Sequence, residues 1–171
     1  GARGILTSGG SLASLSAVVT ARHERLGEAF QDGVLYFSEE THYCVPKAAR
    51  VAGFRDWQVR KVAVDERRRV DPKALAHAIE MDVLKGLKPF MIIANVGTTN
   101  TGAIDQIPRL VSIGRSHSMW VHADAAYGGF FRLASSGPAL MPEIEECDSI
   151  TLDPHKGMFL PYGTGGLVVR D

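Results

Sequence analysis

The sequence predicts an α/β fold in which a mostly parallel β-sheet is covered by helices on both faces. Short apolar runs alternate along the chain with stretches whose apolar residues recur at helical spacing. The runs are continuously apolar, as in strands that are buried on both faces. No repeat or linker divides the 171 residues, so we treat residues 1–171 as one domain.

The first half of the chain begins with a small polar turn over 7–11 that leads into a helix. Leu12, Leu15 and Val19 recur at helical spacing and predict that helix. Further along, a proline follows Asp71, which is the arrangement of an N-cap and a first helical residue. The predicted elements of this half are a helix over 12–25, a strand over 34–37, a helix over 43–52, a strand over 59–64 and a helix over 73–84.

The second half continues the alternation and contains the run 90–96, which predicts a fully buried strand. In parallel sheets of this kind, ligands bind at the carboxyl ends of the strands. The candidate binding segments are therefore those that follow strands. The remaining predicted elements are a helix over 105–117 and strands over 119–123, 149–152 and 166–169.

Composition and charge exclude several other classes of protein. The 19 Lys and Arg residues balance the 19 Asp and Glu residues, so binding to nucleic acid or to an anionic membrane is not expected. The longest apolar stretch is far shorter than the roughly 20 residues of a membrane span. The two cysteines lack the spacing of a zinc site, and we expect reduced thiols in a cytoplasmic protein. Because the chain starts at Gly1 rather than Met, we expect it to be a piece of a larger protein.

A lysine follows directly after the strand predicted over 149–152. In the segment Asp-Pro-His-Lys-Gly at 153–157, Lys156 would point into the ligand crevice with little room to reach solvent. Burial disfavours a charged ammonium, and the neutral amine is a nucleophile towards carbonyl groups. The alternative is a solvated lysine in a surface loop.

An acidic residue, Asp124, comes directly after the strand predicted over 119–123 and is flanked by small residues. A carboxylate in such surroundings is costly unless a positive group pairs with it. One candidate partner is a metal ion held by His122, Asp124 and His155. The other is a protonated ring nitrogen, in which case the carboxylate would support a pyridine cofactor that accepts electrons.

Two further segments could hold a phosphate group and an aromatic ring. The turn Thr-Ser-Gly-Gly-Ser at 7–11 precedes a helix, and its glycines, free N–H groups and Ser11 hydroxyl suit an anion. The alternative is an ordinary helix cap, and the turn matches neither the dinucleotide-binding nor the P-loop pattern. His42 follows the strand over 34–37 and could lie flat on a ring, or it could simply start a helix.

Together these residues specify pyridoxal phosphate, since they offer partners for a carbonyl, a ring nitrogen, a phosphate and a ring face. The combination resembles the group II pyridoxal-phosphate-dependent amino-acid decarboxylases, a family that includes glutamate and aromatic amino-acid decarboxylases. The resemblance covers nearly the whole chain. Its motifs are Thr-Ser-Gly-Gly-Ser at 7–11, Thr-His-Tyr at 41–43, Val-Gly-Thr-Thr at 96–99 with Asp105, His-Ala-Asp-Ala-Ala-Tyr-Gly-Gly at 122–129, and the segment 148–156.

The resemblance implies the large domain of a fold-type I pyridoxal phosphate enzyme, similar to aspartate aminotransferase, with an N-terminal segment and a small C-terminal domain outside this chain. It implies that Lys156 binds the cofactor covalently, that Asp124 pairs with the pyridine nitrogen and that His42 stacks on the ring. It places the other cofactor contacts at Gly10, Ser11, Thr99, Ala126 and His155.

The chain departs from the family pattern at three positions. The family often has alanine at Gly10, asparagine at Asp153 and a large aromatic residue at Gly157. An acid beside a phosphate is unfavourable unless it is protonated or turned away. We therefore expect Asp153 to lie outside the phosphate site.

The resemblance also implies an activity, which is decarboxylation of an L-amino acid to the amine and carbon dioxide. It implies a homodimer whose active site lies between two subunits. Two alternatives remain, because aminotransferases and carbon–carbon lyases use the same lysine, aspartate and phosphate turn, and because a cofactor-domain fragment could be catalytically incomplete. The segments that bind the substrate carboxylate are expected outside this chain.

Overall fold

Strands and helices alternate along the residues that the computed structural model describes, which are 1–170. The strands are β1 (Arg3–Thr7), β2 (Gly33–Ser38), β3 (Val59–Val62), β4 (Lys88–Asn95), β5 (Trp120–Asp124), β6 (Ser149–Leu152) and β7 (Gly165–Val169). The helices are α1 (Gly10–Leu26), α2 (Cys44–Val51), α3 (Pro72–Leu84), α4 (Ile107–Ser116), α5 (Gly137–Leu140) and α6 (Pro154–Gly157). Short 3₁₀ helices lie at 56–58, 129–133 and 144–146.

The strands form one sheet in the order β1-β7-β6-β5-β4-β2-β3. The five strands from β6 to β3 are parallel to one another, whereas β7 runs antiparallel to both of its neighbours, β6 and β1. The predicted α/β class with a mostly parallel sheet is therefore confirmed.

Helices cover both faces of this sheet, as the continuously apolar strands predicted. On one face, Ala13 of α1 belongs to a buried cluster that includes Leu35 of β2. On the other face, Leu75 of α3 packs in a second cluster with Tyr36 of β2 and Ile92 of β4. Adjacent residues of β2 thus face opposite clusters, which is why the strand has a continuous apolar run over 34–37.

Strand β1 was not predicted from the sequence. Its five residues lie at the edge of the sheet, where Ile5 and Leu6 are 56% and 83% exposed. So short and exposed a strand carries no long apolar run to reveal it. Because β1 and β6 both run antiparallel to β7, the polar turn after Thr7 lies at the same edge of the sheet as the carboxyl end of β6.

The two principal helix starts differ in a way that matters for ligand binding. At α3, the Asp71 side chain accepts a hydrogen bond from the Lys73 backbone N–H at 2.9 Å, which confirms the predicted cap. At α1, Gly9 has φ of 92° and supplies no side-chain cap. The N–H groups of the first turn of α1 therefore remain available to an anion.

Candidate active site

A cavity of about 330 Å³ opens where the carboxyl ends of β4, β5 and β6 meet the N-terminus of α1. This is the edge at which parallel sheets bind ligands. The cavity gathers segments that are far apart in the sequence, because neighbouring parallel strands all end at this edge. All eight residues of the predicted cofactor site line it: Gly10, Ser11, His42, Thr99, Asp124, Ala126, His155 and Lys156.

Lys156 lies in the single turn of helix α6, directly after β6. Its Nζ is 3.1 Å from Oδ2 of Asp153, and its side chain is 37% exposed. The expectation that Lys156 would have little room to reach solvent is wrong, because the residue lies in the turn of α6 beyond the strand end, where more than a third of its side chain is exposed. The amine therefore reaches the cavity while its charge is balanced by a neighbouring carboxylate.

Asp124 is the last residue of β5, and its register partners are Asn95 on β4 and Thr151 on β6. Its Oδ1 accepts a hydrogen bond of 3.3 Å from the backbone N–H of Ala126. Burial raises the pKa of the Asp124 carboxyl, although that hydrogen bond and the positive charge of Lys156 oppose the shift. A cation placed beside this carboxylate would offset the cost of its burial.

His122 lies two residues before Asp124 but has a different environment. Its Nδ1 is 2.7 Å from Oγ of Ser149, and its Nε2 is 3.0 Å from Oγ1 of Thr151. Burial lowers the pKa of His122 to about 4, so the imidazole is neutral. Both ring nitrogens are engaged by hydroxyl groups, and within residues 1–170 no group of three or more His, Cys, Asp and Glu side chains could hold a metal ion. The metal alternative for His122, Asp124 and His155 is therefore not supported.

His42 lines the cavity immediately before α2. Its Nδ1 accepts a hydrogen bond of 3.3 Å from the backbone N–H of Cys44, and its carbonyl accepts one of 3.1 Å from Val45. The same residue thus starts the helix and presents its ring to the cavity. The two interpretations of His42 offered by the sequence are compatible.

The turn that precedes α1 brings the backbone of the cavity wall unusually close to β7. A Cβ atom at Gly165 would lie 2.5 Å from the carbonyl carbon of Gly9. A residue with a side chain at Gly165 would therefore push the turn away from the sheet. The close approach holds Gly9, Gly10 and Ser11 against the cavity.

The structure contradicts the expectation that Asp153 lies outside this site. Asp153 lines the cavity, is 1% exposed, and approaches Gly10 so closely that a Cβ there would be 2.7 Å from Asp153 Oδ2. Its Oδ1 is buried and has no hydrogen-bond partner among the described residues. His155, whose Nδ1 donates to the carbonyl of Thr164, places Nε2 4.0 Å from Oδ2 of the same carboxylate.

Several cavity residues were not singled out by the sequence. Asn95 ends β4, and its side-chain Nδ2 donates to Ser38 Oγ and to Asp105 Oδ2, each at 3.0 Å. Its position at the end of an apolar run was the signal that could have revealed it. Cys44 also lines the cavity, 3.5 Å from Ser14 Oγ, and burial raises the pKa of its thiol, which stays protonated.

Asp105 stabilises the loop that carries Thr99. Its carboxylate is 4% exposed and accepts backbone hydrogen bonds from Asn95 at 2.6 Å and from Val70 at 2.7 Å. Burial raises the pKa of Asp105 against the effect of these donors. Asp105 does not line the cavity itself, and it acts on the cavity through the backbone and the side chain of Asn95.

Known proteins match the chain along its whole length. A family model described as "Pyridoxal-dependent decarboxylase conserved domain" matches residues 1–171. The aromatic-L-amino-acid decarboxylase of Bacillus atrophaeus is 41% identical over 170 residues, which are 99% of this chain and 35% of that protein. The cysteine sulfinic acid decarboxylase of Homo sapiens is 33% identical over 175 residues, covering 98% of this chain and 36% of that protein.

A solved structure shows the same similarity in three dimensions. The crystal structure of Oryza sativa TDC with PLP and tryptamine matches with a TM-score of 0.94 at 29% identity, over 99% of this chain and 36% of that chain. The chain spans about a third of the length of the curated relatives it matches, at 35% and 36%.

Proposed function

This chain belongs to the pyridoxal-dependent decarboxylase family, and on that premise we propose that the complete protein removes the carboxylate of an L-amino acid as carbon dioxide and releases the amine. Pyridoxal phosphate is the cofactor of this family. The observation that carries the proposal is the convergence of an amine, a half-buried carboxylate, an imidazole and an uncapped helix N-terminus on one cavity.

The residues of the cavity fit this cofactor. Lys156 offers an amine for its aldehyde, and Asp124 offers a carboxylate whose burial is costly without a cationic partner. Gly10 and Ser11 at the start of α1 offer backbone N–H groups to a phosphate. The group that fits least well is Asp153, because it adds a negative charge beside the same helix N-terminus.

When bound, pyridoxal phosphate supplies an electron sink for the electron pair left by the departing carboxylate. The chain would hold that ring in a defined plane. His42 would cover one face, and the small side chain of Ala126 would leave room on the other. Thr99, on the loop after β4, would contact the ring edge.

Asp124 would keep a proton on the ring nitrogen. Its carboxylate is fixed at the end of a central strand, so it needs no rearrangement when charge develops during the reaction. Lys156 would hold the cofactor through its Nζ, and as a free amine it could move a proton near the substrate. Its side chain is 37% exposed and has room to do so.

Product analysis of the complete protein tests the reaction. With pyridoxal phosphate and a panel of L-amino acids, we expect at least one substrate to give amine and carbon dioxide in equal amounts. A Lys156→Ala variant should give neither product, while Lys88→Arg, at the opposite end of β4, should behave as the wild type. Formation of a keto acid without carbon dioxide would identify an aminotransferase instead.

We also propose that the complete protein is a cytoplasmic homodimer. Phe159 and Tyr162, which follow α6, are 93% and 95% exposed, and Tyr162 lines the cavity. Burial of such side chains by a second subunit would favour association.

Both cysteines are free thiols, which suits a reducing compartment. None of the described helices is long and apolar enough to cross a membrane. Light scattering and cell fractionation would test the two statements.

A further inference from the structure

The cofactor cavity offers little positive charge to a ligand that carries a phosphate group. Among the described residues that line it, Lys156 is the only lysine or arginine, whereas two aspartates, Asp124 and Asp153, line the same cavity. The first turn of α1 adds a partial positive charge and free N–H groups. A phosphate ester brings up to two negative charges at neutral pH. The cavity thus contains more carboxylates than lysine and arginine side chains before any phosphate binds.

Asp153 is the carboxylate that lies against the first residue of α1. A Cβ atom at Gly10 would be 2.7 Å from Oδ2 and 3.0 Å from Oδ1 of Asp153, so the carboxylate directly borders the helix N-terminus. The side chain is 2% exposed, and water therefore screens its charge little. Its Oδ1 has no hydrogen-bond partner within residues 1–170. A negative ligand group at this helix N-terminus meets a buried like charge, which is unfavourable.

The other oxygen of Asp153 pairs with the amine that would bind the cofactor. Nζ of Lys156 is 3.1 Å from Oδ2 of Asp153, and the lysine side chain is 37% exposed, so the ion pair is modest in strength. A C=N bond between Nζ and an aldehyde forms without oxidation or reduction. Two of the three N–H hydrogens of the ammonium group leave with the aldehyde oxygen as water, and Nζ then has at most one N–H left to share with Asp153.

We propose that Asp153 determines the ligand selectivity of the cofactor site by opposing the attachment of a phosphorylated cofactor. Its carboxylate repels a phosphate group at the N-terminus of α1, and it retains Lys156 as a free ammonium group. Both effects act in the same direction. The chain therefore binds pyridoxal phosphate reversibly, and it favours this ligand over unphosphorylated pyridoxal less than a neutral residue at position 153 would allow. The inference rests on the proposed function, since it assumes that the cavity binds this cofactor.

Three ligands separate the two effects of Asp153. Pyridoxal 5′-phosphate carries a phosphate and an aldehyde, pyridoxal carries only the aldehyde, and pyridoxine 5′-phosphate carries only the phosphate, because its alcohol forms no bond with an amine. Asp153→Asn keeps the shape of the side chain and removes its charge, so we expect it to bind pyridoxine 5′-phosphate about tenfold or more tightly than the wild type. For pyridoxal the gain should not exceed about fivefold, which is the range of an exposed ion pair. The gain for pyridoxal 5′-phosphate should be the largest of the three.

The test measures the dissociation constant of each ligand for the complete protein, by equilibrium dialysis with absorbance detection at one fixed pH. Asp153→Ala, which has neither a charge nor an N–H donor in its side chain, should also bind both phosphorylated ligands more tightly than the wild type. This variant separates the loss of repulsion from a new hydrogen bond that the asparagine amide could donate. Asp56→Asn, which removes an acid that is 79% exposed and outside the cavity, should match the wild type with all three ligands.

The outcomes separate this inference from the proposed function. If Asp153→Asn binds pyridoxal 5′-phosphate no more tightly than the wild type does, Asp153 does not oppose the phosphate, and the inference is wrong while the function stands. Equal gains for pyridoxal and pyridoxine 5′-phosphate would also overturn it, as would a gain in Asp153→Asn that is absent from Asp153→Ala. Should one variant fold poorly, the other decides by the same comparison of ligands. Absence of binding of every ligand to every protein would contradict both the function and the inference.

Discussion

Replacement of Asp124 by asparagine isolates the electrostatic contribution that the Asp124 carboxylate makes to turnover. The side chain keeps its shape and can retain the hydrogen bond of 3.3 Å from Ala126, but it loses its charge. Opposite unit charges about 4 Å apart interact by about 4 kcal/mol at an effective dielectric constant near 20. Part of that energy offsets the desolvation that raises the pKa of Asp124. A net loss of about 3 kcal/mol remains, which corresponds to roughly 10²-fold in turnover.

The same substitution should not destabilise the fold. Because burial raises the pKa of Asp124 above its unfolded value, the ionised carboxylate opposes folding, and the opposition grows as pH rises through the folded-state pKa. Asp124→Asn removes this unfavourable charge, so the melting temperature measured without added cofactor should be unchanged or higher at neutral pH.

Steady-state turnover and thermal melting of the complete protein check these two expectations together. Asp56→Asn, an exposed site, serves as the control for loss of one acidic charge. Turnover within about twofold of the wild type would refute the reasoning, since no preorganised charge would then act on the cofactor. A large drop in melting temperature would instead identify Asp124 as a structural residue.

Two further predictions concern His42 and the ion pair between Arg60 of strand β3 and Asp82 of helix α3. His42→Phe should retain pyridoxal phosphate better than His42→Ala, because one ring face can replace another and a methyl group cannot; equal dissociation constants in both variants and the wild type would leave His42 as a helix-start residue only. Asp82 is 3% exposed and accepts hydrogen bonds from Tyr36 at 2.9 Å and from Arg60 at 2.7 and 2.9 Å, so Asp82→Ala should lower the free energy of unfolding by about 3 kcal/mol in denaturant titration. Burial raises the pKa of Asp82, but the hydrogen bonds from Arg60 and Tyr36 outweigh this effect, so the pKa is lowered. The stabilisation by Asp82 should therefore be present above about pH 4, the usual pKa range of an unfolded aspartate, and should be lost as pH falls further. A difference in stability between variant and wild type that does not shrink in acid would contradict this.

The features that the sequence predicted well are those that depend on burial over several residues. The strand over 149–152 was predicted with its observed bounds, and the helix over 73–84 differs from α3 by one residue, because Asp71 and Pro72 mark its start chemically. Strand β1 was missed because it borders solvent and is held by pairing with β7. Long-range pairing of this kind leaves no local signal in the sequence.

The segments that meet at the cavity were predictable, but the environments of individual side chains were not. Lys156 was expected to be buried, yet it lies in the helical turn after β6, where its side chain is 37% exposed. Asp153 was expected outside the phosphate site, yet the small volume of Gly10 allows its carboxylate to lie against α1. Each outcome depends on a neighbour that is distant in sequence, so composition and spacing could not determine it.

Covalent attachment of the cofactor to Lys156 is the central claim, and borohydride reduction followed by peptide mapping tests it most directly. The complete protein is incubated with pyridoxal phosphate, reduced and digested. We expect the pyridoxyl label on the peptide that contains Lys156, and no label in Lys156→Ala or in wild-type protein reduced without cofactor. A label on Lys47, Lys61, Lys73, Lys85 or Lys88, or a label that persists in Lys156→Ala, would contradict the assignment of this cavity as the cofactor site.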